Sequence, residues 1–317
     1  MGSTKKYRPV ERTSGKWVIT RREFLGLSMT LAAGVLFGAC GRYVQREGGS
    51  RRDSSVRIGV VTDSHYAELD PLNNRFYSES LEKMTECVEL MNDMGVDLLI
   101  ELGDFMNGAP ENNIEHLKAI EAVFSTFDGP RYHVLGNHDM DGLSKAQFQS
   151  EIENTEIPQA STFYSFDRDG LHIVVLDANY TSDGSHYDTG NFHWTDSNIP
   201  AEQLEWLAQD LEDADRPVIV CVHQLLDEDE GSHYINNAAE VRQILEESGK
   251  VLAVFQGHQH QGQYNLVNGI HYVTFRAMVE GSGRKSSAYS IVEVDPDRSM
   301  TITGYRRAET VQLQSEV

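Results

Sequence analysis

Five apolar segments of this sequence each end in side chains that bind metal ions. They end, in chain order, at Asp63 with His65, at Asp104, at Asn137 with His138, at His223, and at His258 with His260. Carboxylate, imidazole and amide ligands without cysteine suit manganese, iron or zinc. Two such ions that share a carboxylate clamp the attacking and leaving oxygens of a phosphoryl transfer. The residue types therefore predict a site for two metal ions that hydrolyses a phosphate bond.

Each of these residues alone also has a simpler interpretation. An aspartate after a strand is commonly a turn or helix-cap residue. A histidine at a strand end is commonly a surface residue or one with its hydrogen bonds satisfied. Five such coincidences in sequence order favour the metal site. Gly103, Gly136 and Gly257 each come directly before a candidate ligand, and glycine permits sharp turns that direct side chains toward a common centre.

Strands must position the candidate ligands, because the apolar runs before them are short. Residues 56–63, 97–104 and 217–223 form such runs, and helical patterns such as residues 78–94 separate them. The second half adds hairpins, one of them at residues 264–274 around an Asn-Gly turn. This order predicts an α/β fold, a two-sheet β-sandwich with helices outside. Ligands bind beyond the carboxyl ends of strands in such sheets, so we expect the candidate residues to meet at one rim.

The segments "DSH" (63–65), "GDFMN" (103–107), "GNHD" (136–139) and "GHQH" (257–260), together with His223, resemble the calcineurin-like metallophosphoesterases in order and spacing. The resemblance covers residues 57–305 and implies a four-layer α/β/β/α fold with two divalent or trivalent metal ions. It implies that Asp63, His65 and His260 bind the first ion and that Asp104 bridges both. By the same resemblance, the second ion is bound by Asn137, His223 and His258.

The resemblance gives His138 a different task. It implies that His138 does not bind metal but faces the substrate, where an imidazolium stabilises the transferring phosphate or protonates the leaving oxygen. The nucleophile would be a water or hydroxide that bridges the ions. We predict that Asp139 orients His138 and raises its pKa; the alternative is a solvated turn residue. Purple acid phosphatases carry tyrosine three residues after the bridging aspartate, and Asn107 occupies that position here.

A narrower resemblance concerns the substrate. The segments "HYAELD", "RFYSESL", "HVLGNH", "VVLDANY", "QLEWL" and "NGIHYVT" resemble the manganese-dependent ADP-ribose/CDP-alcohol diphosphatases, although that subfamily often has glutamine at the position of His65. This implies a small phosphate ester or a nucleotide-type substrate. A phosphomonoesterase and a cyclic nucleotide phosphodiesterase use the same motifs and remain open. A non-catalytic surface binding lipoprotein is the alternative outside the enzyme class.

Three groups of polar residues have weaker assignments. Arg276, Arg284 and Lys285 lie in one glycine-containing loop, where they would hold a substrate phosphate or base, or be solvated. The loop 179–194 is rich in Tyr, His and Trp, and it either closes over a substrate such as a nucleobase or packs on the sheet. The remaining histidines belong to no motif and are predicted to be structural: His116, His133, His172, His233 and His271.

The first 40 residues predict an export signal. A basic stretch precedes an apolar one that has signal-peptide length and is too short for a membrane span. Arg21 and Arg22 resemble a twin-arginine signal, which implies export to the periplasm or extracytoplasmic face. "FGAC" resembles a lipobox with Cys40 as the lipidated residue, although Phe37 replaces the usual leucine. Soluble release and an uncleaved anchor are the alternatives, and the membrane is expected to meet only this segment or its lipid.

Composition predicts the domain boundaries in the rest of the chain, and the net charge limits its partners. Residues 41–55 are predicted to be a flexible linker, residues 56–308 one folded domain and residues 309–317 a C-terminal tail. The net charge is −22 at pH 7, although the first 39 residues are basic. Binding nucleic acid through its phosphates needs a basic face, so this function is excluded. Such acidity fits either a salty habitat or a soluble acidic exported protein.

Overall fold

The computed structural model describes residues 55–314. The predicted export signal with Cys40 lies outside these residues, as does nearly all of the predicted linker, and both stay predictions. The twelve strands of the described part are, in chain order, Val56–Val61 (β1), Leu98–Glu101 (β2), Arg131–His133 (β3), Tyr164–Arg168 (β4), Leu171–Val175 (β5), Val218–Cys221 (β6), Val251–Gln256 (β7), Gln263–Val267 (β8), Ile270–Thr274 (β9), Ala288–Val294 (β10), Met300–Arg306 (β11) and Val311–Leu313 (β12). Its five α-helices are Ser80–Met94 (α1), Asn113–Phe124 (α2), Lys145–Glu151 (α3), Ala201–Asp213 (α4) and Ala238–Ser248 (α5).

The strands form two mixed sheets of six strands each, in the orders β12-β11-β10-β1-β2-β3 and β4-β5-β6-β7-β9-β8. In the first sheet β1, β2 and β3 are parallel, and in the second β5, β6, β7 and β9 are parallel. The register places Val61 opposite Glu101 and Glu101 opposite His133, so the carboxyl ends of β1, β2 and β3 are level. The loops that follow these strands therefore leave the sheet at one edge, as the sequence predicts.

Three apolar cores hold the layers together. The central core lies between the sheets and includes Ile58 and Leu98 from the first and Ile219 and Phe255 from the second. A second core packs α1, α2 and α3 against the first sheet, and a third packs α4 and α5 against the second. The prediction of a four-layer α/β/β/α sandwich is confirmed.

Local sequence sets the ends of these elements. Helix α1 buries Met84, Val88 and Met91 on one face and ends at Gly95, which has the left-handed backbone (φ 62°) common at helix C-termini. The predicted hairpin turn is also present, with both Asn268 and Gly269 at positive φ. The sheet continues through β12 to Leu313, so the domain boundary predicted at residue 308 lies too early. Among the described residues, each helix is too short or too polar to span a membrane.

One histidine outside the rim fastens α4 to the edge of the second sheet. His172 Nδ1 lies 2.8 Å from Asp167 Oδ1, and His172 Nε2 lies 2.9 Å from Asp210 Oδ2 on α4. The hydrogen bond with Asp210 raises the pKa of His172; burial opposes this rise and the bond with Asp167 adds to it. This contact is the structural role predicted for His172.

The His172 contact gives a pH-dependent contribution to stability. Because its pKa is higher in the folded than in the unfolded chain, the contribution is fully present below about pH 6.5 and is lost as pH rises through the folded pKa. We expect His172→Gln to lower the free energy of unfolding by about 1 kcal/mol at pH 6 and by less at pH 9. Urea denaturation of both proteins at the two pH values measures this difference, and an equal loss at both would contradict the assignment.

Candidate metal centre

The predicted ligands stand on strained backbone at the ends of the strands. Asp63, His65, Asp104 and His258 have φ values of 51°, 45°, 54° and 66°. Residues other than glycine rarely adopt this left-handed region, and such strain persists where the surrounding structure enforces it, commonly at functional sites. Four ligand positions with this property indicate that the fold holds these side chains in place.

The first group of ligands comes together as predicted. His260 Nε2 lies 3.4 Å from Asp63 Oδ1, and His65 Nε2 lies 3.6 Å from the same oxygen. The two imidazole nitrogens are 3.2 Å apart. Asp63 and His65 are fully buried, and the His260 side chain is 11% exposed. Two nitrogens and one oxygen therefore converge on a single point.

The second group also forms. His223 Nε2 lies 3.1 Å from Asp104 Oδ2, without the geometry of a hydrogen bond, and the rings of His223 and His258 are 4.9 Å apart. The nearest ligand atoms of these three residues lie within 4.8 Å of one another. Asn137 is buried directly before His138 and leaves its side-chain oxygen without a hydrogen bond. The structure thus gathers Asp104, His223 and His258 of the second predicted set, and the contact of Asn137 with the ion stays a prediction.

Asp104 lies between the two groups. Its Oδ2 atom is 3.5 Å from His65 Nε2 and 3.1 Å from His223 Nε2, while its Oδ1 atom accepts a hydrogen bond from the backbone of His138 at 2.8 Å. Oδ1 therefore accepts a hydrogen bond within the protein, and Oδ2 faces both ligand groups. This is the position that the resemblance assigns to a bridging ligand.

The donor atoms fit a pair of cations. Buried polar atoms nearly always have a hydrogen-bond partner, and an unpaired one is costly. A cation at each group would satisfy buried atoms that otherwise have no hydrogen-bond partner, namely Asp63 Oδ1, Asp104 Oδ2, His223 Nε2 and His258 Nε2. Mixed oxygen and nitrogen donors suit manganese, iron and zinc. The residues present therefore fit two metal ions.

For several ligands, the side-chain atom that faces away from the ion is held by the protein. Asp63 Oδ2 accepts hydrogen bonds from the Thr62 hydroxyl and the His258 amide. His223 Nδ1 pairs with the backbone oxygen of Leu102 at 2.8 Å, which leaves Nε2 for an ion. Such contacts fix the tautomer and orientation of metal ligands.

Two further contacts hold the first group. His65 Nδ1 lies 3.2 Å from Asn107 Oδ1, and His260 Nδ1 lies 3.0 Å from Glu280 Oε1. Asn107, which replaces a purple-phosphatase tyrosine in the sequence comparison, thus supports His65. Glu280 was not predicted from the sequence, because it lies 20 residues beyond its partner and belongs to no motif.

Electrostatics keep the carboxylates of Asp63 and Asp104 ionised. Burial alone would raise the pKa of Asp63, but the nearby imidazoles of His260 and His65 outweigh it and hold the pKa well below its usual value. Burial would also raise the pKa of Asp104, and the charge of His223 outweighs it in the same way. In turn, Asp104 overcomes the effect of burial and raises the pKa of His223 to about 10. Deprotonated carboxylates are the form that metal ions bind.

The three predicted glycines matter for two different reasons. Gly103 has φ 97°, as expected for a sharp turn. A Cβ on Gly136 would collide with the backbone nitrogen of Asp104, and one on Gly257 would collide with the Thr62 hydroxyl. The last two glycines have ordinary φ values, so they serve close approach of the ligand loops rather than unusual backbone angles.

His138 stands beside the metal groups, and its orienting partner differs from the prediction. Its ring lies 4.8 Å from that of His65, and its Nδ1 atom lies 2.6 Å from Asp141 Oδ2. Burial lowers the pKa of His138, but Asp104 and the hydrogen bond with Asp141 outweigh this and raise it. The two residues are three apart on one helical turn, the spacing that could have identified Asp141 in the sequence.

Both interpretations of Asp139 are wrong. Its carboxylate is fully buried and accepts hydrogen bonds from the backbone amides of Asp104, Met106 and Gly136. It is therefore neither a solvated turn residue nor the partner of the His138 ring. Its contacts join the loop after β2 to the loop after β3, so Asp139 positions the bridging ligand.

The weaker predictions have mixed outcomes. The guanidinium of Arg276 pairs with Glu309 at 3.0 Å and that of Arg284 with Glu82 at 3.5 Å, so the structure gives each an intramolecular partner, and their substrate contacts stay predictions. His233 was predicted to be structural, but its ring lies 5.0 Å from that of the ligand His258. Trp194, from the predicted aromatic loop, lies 5.5 Å from the same ring.

Helix α1 supports the loop that carries Glu280. Lys83 is fully buried, and its ammonium donates hydrogen bonds to the backbone oxygens of Met278 at 3.1 Å, Val279 at 2.9 Å and Gly281 at 2.7 Å. The loop that orients His260 is thereby fastened to α1.

Comparisons with known proteins agree with this geometry. The family model for calcineurin-like phosphoesterases matches residues 56–262. A manganese-dependent ADP-ribose/CDP-alcohol diphosphatase of Oryza sativa subsp. japonica is 27% identical over 82% of this chain and 95% of its own length. One of Arabidopsis thaliana is 24% identical over 84% of this chain and 100% of its own length. The crystal structure of a dimetal phosphatase from Danio rerio superposes with a TM-score of 0.74 at 19% identity, over 83% of this chain and 100% of that one, and shows the same fold.

The contacts of Asp141 and Asp139 predict opposite results for their replacement. Asp141→Asn should leave metal content and stability unchanged and lower kcat about tenfold to a hundredfold, because it disturbs only the proton-transferring ring. Asp139→Asn should lower the free energy of unfolding by about 2 kcal/mol and reduce bound metal, because the buried backbone amides lose an acceptor oxygen.

Elemental analysis, urea denaturation and steady-state kinetics on the two variants separate these effects. If Asp139→Asn kept its stability and its full metal content but had a lower kcat, Asp139 rather than Asp141 would be the residue that orients His138. Loss of metal from Asp141→Asn would show that Asp141 supports the ligands instead.

Proposed function

This chain belongs to the calcineurin-like phosphoesterase family and is a phosphoric ester hydrolase, and we propose that it cleaves the diphosphate bond of nucleoside diphosphates joined to a second group, as in ADP-ribose or a CDP-alcohol. The observation that carries hydrolysis is the convergence of two ligand groups on Asp104 with His138 beside them. The substrate class is supported by the curated relatives, which match most of this chain and nearly all of their own lengths.

The reaction divides between the ions and the chain. When bound, two metal ions would lower the pKa of a water molecule and neutralise charge on the phosphoryl oxygens. Water adds to one phosphorus, the bridging P–O bond breaks, and the leaving phosphate takes a proton. The His138 side chain is 29% exposed and has Nδ1 held by Asp141, so Nε2 is available to donate that proton.

Arg75 supports a substrate with a second phosphate. It lies opposite Glu280 in an antiparallel bridge, and the flanking hydrogen bonds from Phe76 to Val279 and from Gly281 to Asn74 make this a non-hydrogen-bonded pair. The two side chains of such a pair leave the backbone on the same face. Glu280 contacts the ligand His260, so Arg75 lies on the face of the metal centre.

The charge of Arg75 is available for a ligand. Arg75 is half-buried, and within residues 55–314 its guanidinium has no carboxylate at ion-pairing distance. Burial lowers the pKa of His138 and of His260, neighbouring carboxylates raise both, and Arg75 opposes the rise, which places its charge within range of both rings. A guanidinium binds phosphate oxygens through paired hydrogen bonds. Arg75 is therefore suited to the phosphate that is not being attacked.

A substrate panel on protein of known metal content tests the proposed reaction. We expect hydrolysis of ADP-ribose and CDP-choline with manganese, and slower turnover of cyclic AMP and a sugar phosphate. Asp104→Asn removes a charged bridging ligand and should lower the rate by about a thousandfold or more while the fold, measured by circular dichroism, persists. Preference for the sugar phosphate or for cyclic AMP would replace the diphosphatase assignment, and activity in Asp104→Asn would contradict the metal centre.

Replacement of Arg75 tests the second phosphate. Arg75→Ala should lower kcat/KM for ADP-ribose about tenfold to a hundredfold, the effect of losing a charge-assisted hydrogen bond, and Arg75→Lys should recover part of it. Hydrolysis of bis(4-nitrophenyl) phosphate, which has one phosphate, should change little.

Arg216→Ala provides the matched control, because Arg216 lies before β6 at the opposite edge from His223 and pairs with Asp167 at 3.5 Å. Equal losses on the one-phosphate and two-phosphate substrates would assign Arg75 to the reaction centre instead.

A further inference from the structure

Two aromatic rings flank the second metal group on its solvent side. Trp194 and His233 each make an edge contact with the ring of His258, at 5.5 Å and 5.0 Å between centroids. Their own rings are 5.5 Å apart. His258 is buried, whereas Trp194 is 37% exposed and His233 is half-buried. A partly open aromatic surface, which we call the Trp194 wall (Trp194 and His233), therefore begins where the second metal group ends.

The Trp194 segment is anchored although its indole is exposed. Phe192 stacks on Tyr187 with centroids 3.7 Å apart and planes 2° from parallel. On the other side, Asp196 accepts hydrogen bonds from the Ser182 amide at 3.1 Å and from the Asn236 side chain at 3.2 Å. The residues on both sides of Trp194 are thus fixed while the indole keeps an accessible face.

The His233 segment is anchored to the same frame. Leu225 donates to the backbone oxygen of His233 at 3.0 Å, and Ile235 donates to that of Leu225 at 2.9 Å. Leu225 lies two residues after the ligand His223. The Asn236 amide also bonds to the Ser197 oxygen at 2.8 Å, which joins the two loops. The wall is therefore positioned by the segments that carry or adjoin the metal ligands.

A fixed and partly exposed aromatic surface of this kind binds flat rings. Stacking recognises any nucleobase, because every base has a π-face, whereas a hydrogen-bonding pocket selects one base. Surfaces fixed before binding lose little conformational entropy when the ligand arrives.

We propose that the Trp194 wall is the binding site for the nucleobase of the substrate and that it binds purines and pyrimidines alike. This inference rests on the proposed function, since a nucleoside diphosphate substrate carries such a base. Arg75 lies near the first metal group and the wall lies at the second, so one extended substrate would span both groups.

Kinetics on base-containing and base-free diphosphates test the wall. Trp194→Ala should raise KM for both ADP-ribose and CDP-choline by between about fivefold and about a hundredfold, with kcat nearly unchanged. Trp194→Phe should restore most of the affinity, and His233→Ala should act in the same direction as Trp194→Ala. Dimethyl diphosphate, which has no base, should be hydrolysed equally by all variants.

Tyr264→Ala is the matched control, because Tyr264 is a comparably exposed aromatic residue (44%) on the edge strand β8 and should leave all substrates unaffected. An equal loss on dimethyl diphosphate in Trp194→Ala would show that the indole supports His258, and no loss on either nucleotide would show that it binds no base.

Binding without turnover separates this inference from the proposed reaction. AMP and CMP, which contain no diphosphate bond, should quench the fluorescence of the metal-loaded protein, ribose 5-phosphate should not, and Trp194→Phe should abolish the quenching because it removes the indole that reports the bound base. Quenching that persists in Trp194→Phe would contradict binding of the nucleobase at the Trp194 wall, even if ADP-ribose is hydrolysed. Quenching lost in Trp194→Phe supports it even if the substrate panel identifies a different nucleotide.

Discussion

The centre of this protein depends on buried oxygen and nitrogen atoms that the chain itself leaves unpaired. Asp104 shows the arrangement most clearly, because one of its oxygens receives an amide hydrogen bond and the other faces imidazole nitrogens from both ligand groups. In an interior where polar atoms are normally satisfied, such an arrangement is stable only with positive charge close by. The strained backbone, the close-packed glycines and the buried Asp139 all serve to keep these atoms together.

Around this centre the loops divide the remaining tasks. The face near the first group carries Glu280, which contacts His260, and Arg75, which pairs with Glu280 across a β-bridge. Lys83 on α1 holds the backbone of the Glu280 segment. The face near the second group carries Trp194 and His233 on loops joined to each other. His138 stands beside the shared carboxylate and the ring of His65. The sandwich thus supplies a common reaction centre, and the loops supply the contacts that select a substrate.

The ligands were predictable because parallel strands impose a simple rule on their carboxyl ends. Asp63, Asp104 and His223 each follow an apolar run, and that pattern needs no knowledge of tertiary contacts. Asp141, Glu280 and Arg75 were missed because their roles arise from a helical turn, a distant loop and an isolated bridge. Gly136 was identified as important for the wrong reason, since crowding by another loop is invisible in the sequence. His233 looked structural because its partner His258 lies in another segment.

The ligands of one ion also come from distant parts of the chain. His65 and His260, whose nitrogens are 3.2 Å apart, are separated by 195 positions in the sequence. Closing so long a loop costs entropy that only the completed sheets repay, and contacts of this kind form late. The ligand set of the first ion is therefore complete only when the ends of strands from both sheets have come together. Bound metal is thus an indicator of complete folding, since the first ion keeps its full ligand set only when both sheets are assembled.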